Sequence, residues 1–579
     1  MKPPYVFVYR EEVTSEHCIQ GEGMSGIPHE IEVYQIHHLP IVQAYADKIG
    51  LVGVINQLVP TEMEVDPGIV VLGMVLDTLS GRSPLYRLEE FFTHYDTALL
   101  LGRDLPPQVF NDDHVGRVLD RLYATGTMKI FTACAVRADM LFGFDKQYVH
   151  FDTTSKSVYG DYLPSEGQAV PFSITHGYSK DKRPDLKQFV FSMLCVDRAV
   201  PIWGTPEDGN ASDKTLNTTL LSEIAHLLAN HGVAPGAYIY IADAALVTED
   251  NLIALRDTLF ISRLPATYAE CERVIQEAVA HQAWNEVGVL AHTKPTKNRP
   301  LASYKASERV VTLYGTSYRA VVVQSSAQDK RRQKRLDREF QASSTTLQAA
   351  LRAAEKQVYF CRADAEAAAK KLRAMQTDYH RVDVTVEERP QYGQGRPSTR
   401  KPRAVKALRY GLKPVLTAQA DRIATKREEA GCFVLLTNVP KEGAFAHSAG
   451  DVLKAYKEQH GVEQNFGFLK DPVIVNSLFL KKPERIEALG LVLLLALLLW
   501  RLVERSLRVH VETTGSTLPG WDKKETQRPT AFMMLTKFAG VLVLKVGAQR
   551  HLARPLSAVQ QQYLTALGLS VSCFTCPSG

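Results

Sequence analysis

The order of strand-like and helix-like segments between residues 148 and 262 constrains the fold of this chain more than any other feature. Short apolar runs predict strands, and apolar residues at helical spacing predict helices. The strand-like segments are 148–154, 172–175, 188–196, 238–242 and 259–262, and the helix-like ones are 216–230 and 251–256. Three strands followed by alternating helices and strands indicate an α/β fold with a mixed sheet.

Two of these strand-like segments carry an aspartate at the point where the apolar run stops. Asp152 follows the mostly apolar residues 148–151, and Asp243 follows the apolar residues 238–242. Ligands and metals are held at strand ends in open sheets. One such aspartate is weak evidence, because turns also favour aspartate. The pair becomes a candidate site when a third carboxylate joins it.

Glu463 is the candidate for this third carboxylate. In a helix, Tyr456, Gln459, Glu463 and Lys470 lie at about 0°, 300°, 340° and 320° around the axis, so they share one narrow face. A polar stripe of this kind is commonly a solvated face. The spacing alone therefore leaves a structural and a functional interpretation open.

The same four residues carry a resemblance to a known family. The spacing Tyr456-x2-Gln459-x3-Glu463-x6-Lys470 resembles the Y-(2)-R-(3)-E-(6)-K signature of one branch of the DDE transposases of bacterial insertion sequences. One departure is plain, because Gln459 stands where the signature has arginine. A DNA-backbone contact expected there is either lost or supplied by a neighbouring side chain.

The resemblance extends beyond the signature and covers residues 30–510. The sequences around Asp152 and Asp243 look like the first and second acidic blocks of the family, and so does the segment 177–188 between the first strands. Glu463 follows Asp243 by 220 residues, which leaves room for a long insertion. The order Asp, Asp, insertion, Glu agrees with the family.

The resemblance implies an RNase H-like α/β core interrupted by a large insertion of β strands and a basic helical segment. A helical N-terminal domain would precede this core. The expected divisions are a helical N-terminal region at 1–140 as a candidate for DNA-end binding, the first part of the core at 147–264, the insertion at 265–440, the second part of the core at 441–510 and a C-terminal region at 511–579.

The resemblance also implies a chemistry. Asp152, Asp243 and Glu463 would hold two Mg²⁺ ions, with Mn²⁺ as a substitute, and hard oxygen ligands suit these ions. Cleavage at the ends of the insertion sequence and strand transfer to target DNA would then give cut-and-paste transposition. Tyr456, Gln459 and Lys470 would contact DNA. The implied partners are double-stranded DNA, namely terminal inverted repeats and target, and a second copy of the chain in a homodimer on paired ends.

Positive charge is concentrated in one part of the chain. The segment 326–412 has 20 Lys and Arg against 10 Asp and Glu, whereas the whole chain carries only +5. Its densest run includes Lys330, Arg331 and Arg332. Contact with DNA phosphates and a solvated helix face are both open interpretations.

An apolar run of 13 residues, 488–500, is shorter than the roughly 20 residues that a membrane-spanning helix needs. We therefore expect a buried core helix and no membrane partner. Residues 1–10 lack an apolar signal core, and the eight cysteines are scattered. These features predict a reducing compartment without secretion. The resemblance implies that this compartment is the bacterial cytoplasm, near the nucleoid.

Two alternatives to an active transposase remain. The first is a catalytically inactive DNA-binding derivative, which the glutamine at position 459 favours. The second is an RNase H-like nuclease that cleaves without strand transfer. The presence of all three acidic residues favours an active enzyme.

Overall fold

The computed structural model describes residues 31–81, 87–160, 162, 170–197, 199–234, 236–291, 301–327, 330–394, 403–443, 445–470 and 480–577. The first 30 residues of the predicted N-terminal region lie outside this part of the chain.

The N-terminal region is a short strand followed by a group of helices. Its elements are β1 (Ile31–Gln35), α1 (Leu39–Lys48), α2 (Leu51–Leu58), α3 (Pro67–Leu79), α4 (Leu88–Phe92), α5 (Thr97–Leu101), α6 (Asp112–Thr125) and α7 (Thr127–Phe142). The apolar pattern at 41–58 forms two helices, because Gly50 between them adopts a left-handed conformation with φ 63°. Every residue of α3 is buried.

A mixed sheet follows. Its first elements are β2 (Tyr148–Val158), β3 (Lys187–Val196), β4 (Val200–Glu207), α8 (Asp213–Asn230), β5 (Ile239–Ala242), α9 (Glu249–Ala254) and β6 (Leu259–Arg263). Strands β2, β3 and β4 pair antiparallel, whereas β5 runs parallel to β2 and β6 parallel to β5. The predicted α/β class is confirmed.

The predicted strand at 172–175 is wrong. Only Thr175 pairs, in an isolated bridge with Gln188. Phe172 and Ile174 are buried without a ladder of hydrogen bonds. Packing alone therefore accounts for the apolar pattern of this segment.

The chain then extends the same sheet and carries a smaller unit. The elements are α10 (Ala269–His281), β7 (Asn285–Val289), β8 (Ser303–Leu313), β9 (Thr316–Ser325), α11 (Lys330–Glu355), α12 (Arg362–Arg373), β10 (His380–Tyr392), β11 (Val405–Ala418), α13 (Ala420–Ala430) and β12 (Cys432–Thr437). Among the described residues, nine strands form one sheet in the order β4-β3-β2-β5-β6-β12-β9-β8-β7. Helices α11 and α12 and the β10–β11 hairpin share a separate small core.

The last elements are α14 (Ala449–Glu458), α15 (His460–Lys470), α16 (Pro483–Thr514), β13 (Leu518–Pro519), β14 (Glu525–Thr526), α17 (Ala531–Lys537), β15 (Leu542–Val546), β16 (Gln549–Leu552) and α18 (Ala558–Leu567). Helix α16 contains the predicted apolar run. It is long and apolar enough to cross a membrane, but 89% of its apolar window is buried inside the protein. It packs on β4 and on α3, α6, α7 and α18, so the expected core helix is confirmed.

The C-terminal segment returns to the N-terminal helices. Strand β15 pairs antiparallel with β1, and β16 pairs with β15. Arg550 of β16 forms two hydrogen bonds with the carboxylate of Asp96, at 2.5 and 2.9 Å. The first and last described strands thus belong to one three-stranded sheet.

Candidate functional site

Asp152 lies on β2, and Asp243 directly follows β5, the neighbouring strand of the sheet. In the parallel pairing of β2 with β5, Tyr148 aligns with Ile239 and His150 with Ile241. The ladder ends there, and continuing its register by two residues would bring Asp152 level with Asp243, the first residue after β5. Side chains alternate along a strand and adjacent strands lie about 4.8 Å apart, so both carboxylates leave the same face. This is the face on which α14 packs, since Ile239 and Ile241 share a core with Val452 and Leu453.

Asp152 does not end its strand, contrary to the sequence prediction. Strand β2 continues to Val158 because β3 pairs with it along the whole distance. What stops near Asp152 is the pairing with β5, which ends at Ala242. Asp152 therefore lies just beyond the pairing of β2 with β5, in a part of β2 that still pairs with β3.

Burial is unfavourable for both carboxylates. It raises the pKa of Asp152 to about 7, and the charges of Asp243 and Asp213 add to this effect. Burial also raises the pKa of Asp243, again with a contribution from Asp213. The charge of Lys180 and a hydrogen bond from the Thr153 N–H, at 2.8 Å, act in the opposite direction on Asp152. Two partly desolvated oxygen ligands side by side are a suitable start for a cation site.

The helices α14 and α15 bring the signature residues over this pair. The buried amide of Gln459 donates to the backbone carbonyl of Phe151 at 3.4 Å. Burial raises the pKa of Tyr456 to about 12; Arg263 opposes this, while the charges of Asp243, Asp152 and Glu463 add to it. Tyr456 therefore lies within the electrostatic reach of all three predicted carboxylates.

Glu463 is exposed to solvent and hydrogen-bonds within its own helix. Its side chain is 64% exposed, and Oε2 accepts a hydrogen bond from Nδ1 of His460 at 2.9 Å. Within the described residues, no three His, Cys, Asp or Glu side chains are grouped so that they could hold a metal ion. An exposed contact of this kind contributes little to stability, so another partner of Glu463 can replace His460. Its role as a metal ligand stays a prediction.

Two of the residues predicted to contact DNA, Lys470 and Gln459, have hydrogen-bond partners within the protein. Nζ of Lys470 donates to Oδ1 of Asp181 at 2.6 Å. The amide of Gln459 donates to the Phe151 carbonyl of β2. DNA contact by these two residues and by Tyr456 stays a prediction.

The basic run at the start of α11 is only partly described. The structure does not describe the side chains of Lys330 and Arg331. Arg332 donates to the backbone carbonyls of Cys432, at 2.8 Å, and Ala430, at 3.4 Å. These contacts give Arg332 a structural role at the base of the insertion, and a DNA contact by these three residues stays a prediction.

Sequence reasoning missed two charged residues next to the aspartates. Asp213, the first residue of α8, accepts a hydrogen bond from the Thr153 hydroxyl at 2.5 Å. Lys180 lies in the loop before β3 and donates to the Thr153 carbonyl at 2.9 Å. Lys180 belongs to the family-like segment 177–188, which was the available signal. For Asp213, the sequence contained no signal beyond the position of this residue at the start of a helix.

Comparison with known proteins adds one finding. Residues 31–136 match the model of a domain of unknown function (DUF4277), a domain found in transposase-like proteins. The matched part is the N-terminal unit from β1 to α7. No curated protein matches the chain.

Proposed function

We propose that this protein is a DDE-type transposase that cuts DNA at the ends of an insertion sequence and joins them to target DNA. The placement of Asp152 on β2 and of Asp243 directly after the parallel neighbouring strand β5 carries the proposal. Tyr456, in a helix encoded more than 200 residues later, lies within the field of both and of Glu463. The N-terminal domain, of a kind found in transposase-like proteins, is further support.

The fold is part of the proposal. The order β4-β3-β2-β5-β6, with three antiparallel strands followed by two parallel ones, is typical of RNase H-like cores. In such a core, the acidic residues would lie on the first strand, after the fourth strand and on a helix packed across them. Asp152, Asp243 and Glu463 occupy these three positions in the chain.

The residues fit a pair of Mg²⁺ ions in part. Asp152 and Asp243 supply adjacent hard oxygen ligands whose burial favours a nearby cation. Glu463 would complete the set by giving up His460. Bound Mg²⁺ would supply Lewis acidity toward the phosphate and its attacking and leaving oxygens. The protein's own part is to hold Asp152 on β2 and Asp243 directly after β5, with Glu463 on a helix that packs against β2.

The test uses a labelled duplex that carries the inverted repeat flanking the coding region. Wild-type protein and Glu463→Gln are incubated with the duplex in Mg²⁺, in Mn²⁺ and in EDTA. We expect metal-dependent cutting at the repeat end by the wild type and a loss of at least about 100-fold in the variant, with DNA binding retained. Glu249→Gln, an exposed residue of α9, is the matched control and should cut normally.

A second reaction separates transposase from nuclease. A pre-cut end with a free 3′-hydroxyl is offered together with a supercoiled target plasmid. Joined products are expected from the transposase, whereas cutting without joining would identify the nuclease alternative. Cutting by neither protein, despite end-specific binding, would identify the inactive derivative. The burial of Gln459 and the exposure of Glu463 are the observations that leave this last alternative open.

A further inference from the structure

The loop before β3 delivers a lysine to the strand that carries Asp152. Nζ of Lys180 donates to the carbonyl of Thr153 at 2.9 Å and to its hydroxyl at 2.8 Å. The same ammonium forms an ion pair with Asp213 at 3.2 Å. Thr153 directly follows Asp152, so the ammonium lies one residue from the proposed centre.

The charge of this lysine reaches both aspartates. It lowers the pKa of Asp152 and of Asp243, against the effect of their burial. Asp213 acts on both in the opposite direction. The lysine and its partner are therefore electrostatically part of the site, although neither belongs to the signature.

The ammonium is also accessible. The side chains of Lys180 and Asp213 are 33% and 32% exposed. Ion pairs at this exposure contribute little to stability, so a stronger anion can replace the carboxylate. A DNA phosphate next to Asp152 and Asp243 would be such an anion, because a lysine ammonium binds phosphate as a point charge.

The neighbouring residue of the loop forms a similar pair. Asp181 accepts a hydrogen bond from Lys470, which the signature marks as a DNA contact. Both lysines near the aspartates therefore have an acidic partner within the protein. Each pair neutralises a positive charge that DNA would otherwise meet.

We propose that Lys180 is a further DNA-contacting residue of this site, where its ammonium binds a backbone phosphate of the strand lying at Asp152 and Asp243. Asp213 is then a positioning residue that holds the ammonium while DNA is absent. This inference rests on the proposed function. It adds to that function a contact from the β2–β3 loop and a carboxylate that competes with DNA.

The test measures binding of a fluorescein-labelled end duplex in EDTA over a series of KCl concentrations. Lys180→Gln should bind about three- to tenfold more weakly, with a salt slope smaller by about one. Asp213→Asn should bind more tightly than the wild type, because it frees the ammonium. Lys182→Gln removes the same charge from an exposed position of the same loop and is the control. Lys180→Arg should keep most of the affinity.

The opposite signs of the two effects separate a DNA contact from a structural pair. Equal weakening by Lys180→Gln and Asp213→Asn would overturn the inference, as would equal binding by Lys180→Gln and Lys182→Gln. If Lys180→Gln melts at a lower temperature, Asp213→Asn decides, since it breaks the same ion pair. Normal cutting by the wild type with normal binding by Lys180→Gln removes only this inference. Absence of both binding and cutting in the wild type removes the proposed function and this inference with it.

Discussion

At the scale of single residues, ionisation of the Asp152 carboxyl group is unfavourable in the folded protein. Burial and the charges of Asp243 and Asp213 raise its pKa to about 7, so the ionised form is disfavoured in the folded state. Asparagine keeps the acceptor for the Thr153 N–H and removes the charge. We expect Asp152→Asn to stabilise the protein by on the order of 1–3 kcal/mol at pH 8 in EDTA, while abolishing DNA cutting.

Urea unfolding of wild type and variant measures this gain. If the proposed metal site exists, adding Mg²⁺ should reduce the difference in unfolding free energy between the two proteins, because binding of the ion would stabilise only the wild type. Asp257→Asn, at an exposed position, is the control and should change stability little. A variant less stable than the wild type would contradict this prediction and would mean that the ionised carboxylate contributes to folding.

The buried histidine His38 predicts a dependence of stability on pH. Its Nε2 donates to the Leu79 carbonyl at 2.9 Å, and burial lowers its pKa from 6.5 to about 4, with a smaller contribution from His37. Above pH 6.5 neither state is protonated. As the pH falls from 6.5 to about 4, only the unfolded state takes up the proton, so stability declines by about 3 kcal/mol in total.

Replacing this histidine should flatten that decline. His38→Asn keeps a donor near the carbonyl but cannot be protonated. Urea unfolding at pH 7.5, 5.5 and 4.5 compares its stability with that of the wild type, and His226→Asn, an exposed position in α8, is the control. A wild-type decline no steeper than that of His38→Asn would show that this site does not contribute.

At the scale of secondary-structure elements, Asn465 fixes the helix of Glu463 on the sheet. Its fully buried amide donates to the Ala199 carbonyl at 2.8 Å, and its oxygen accepts a hydrogen bond from Arg501 of α16 at 2.6 Å. We expect Asn465→Ala to cost about 2–4 kcal/mol, because it leaves a buried arginine and a buried carbonyl without this partner. DNA cutting should fall as well, since α15 loses its anchor.

Gln464→Ala, at the exposed neighbouring position, is the control and should leave both properties unchanged. Thermal unfolding measures the first effect and the cleavage assay the second. Normal cutting by a destabilised Asn465→Ala would show that the helix keeps its place without this contact.

The central strands and the core helix were predictable because they are strongly apolar. The hairpin of β10 and β11 was missed, although 380–386 alternates between buried and exposed residues. Pro390 and the nearby basic residues weaken the strand signal of this segment. The alternation matters only because α11 and α12 cover one side of the hairpin. That packing is a property of the fold and not of the local sequence.

The candidate site shows the same limit. Asp152 and Asp243 could be found in the sequence because each follows an apolar run. Lys180 and Asp213 meet at Thr153 only through the path of the loop and the start of α8. Glu463 is exposed and contacts His460, and the periodicity of the helix did not predict either feature.

At the scale of the whole molecule, α16 connects the parts. It contacts β4 of the sheet, α15 beside the candidate site, the N-terminal helices and α18. A long apolar helix in this position buries its surface against each of them, and this burial is the main favourable contribution to folding. The expected division at 510 therefore falls inside one continuous helix, which ends at Thr514.

The N-terminal helices and the C-terminal strands are joined by a buried ion pair as well as by the β1–β15 pairing. The side chains of Arg550 and Asp96 are only 6% and 2% exposed, and Asp96 also caps α5 through the Leu99 N–H at 3.0 Å. Arg550→Met would leave a buried carboxylate unpaired. We expect a loss of about 3–5 kcal/mol in urea unfolding, with the N-terminal helices and the C-terminal strands destabilised together.

A double variant tests whether the loss comes from the unpaired charge. Asp96→Asn keeps the cap on α5 and removes the charge, so adding it to Arg550→Met should recover part of the lost stability. A single-variant loss below about 1 kcal/mol would mean that the β1–β15 pairing alone joins the two ends. Recovery in the double variant would show that the loss comes from the unpaired carboxylate of Asp96, and that Arg550 joins the C-terminal strands to the N-terminal helices by neutralising this charge.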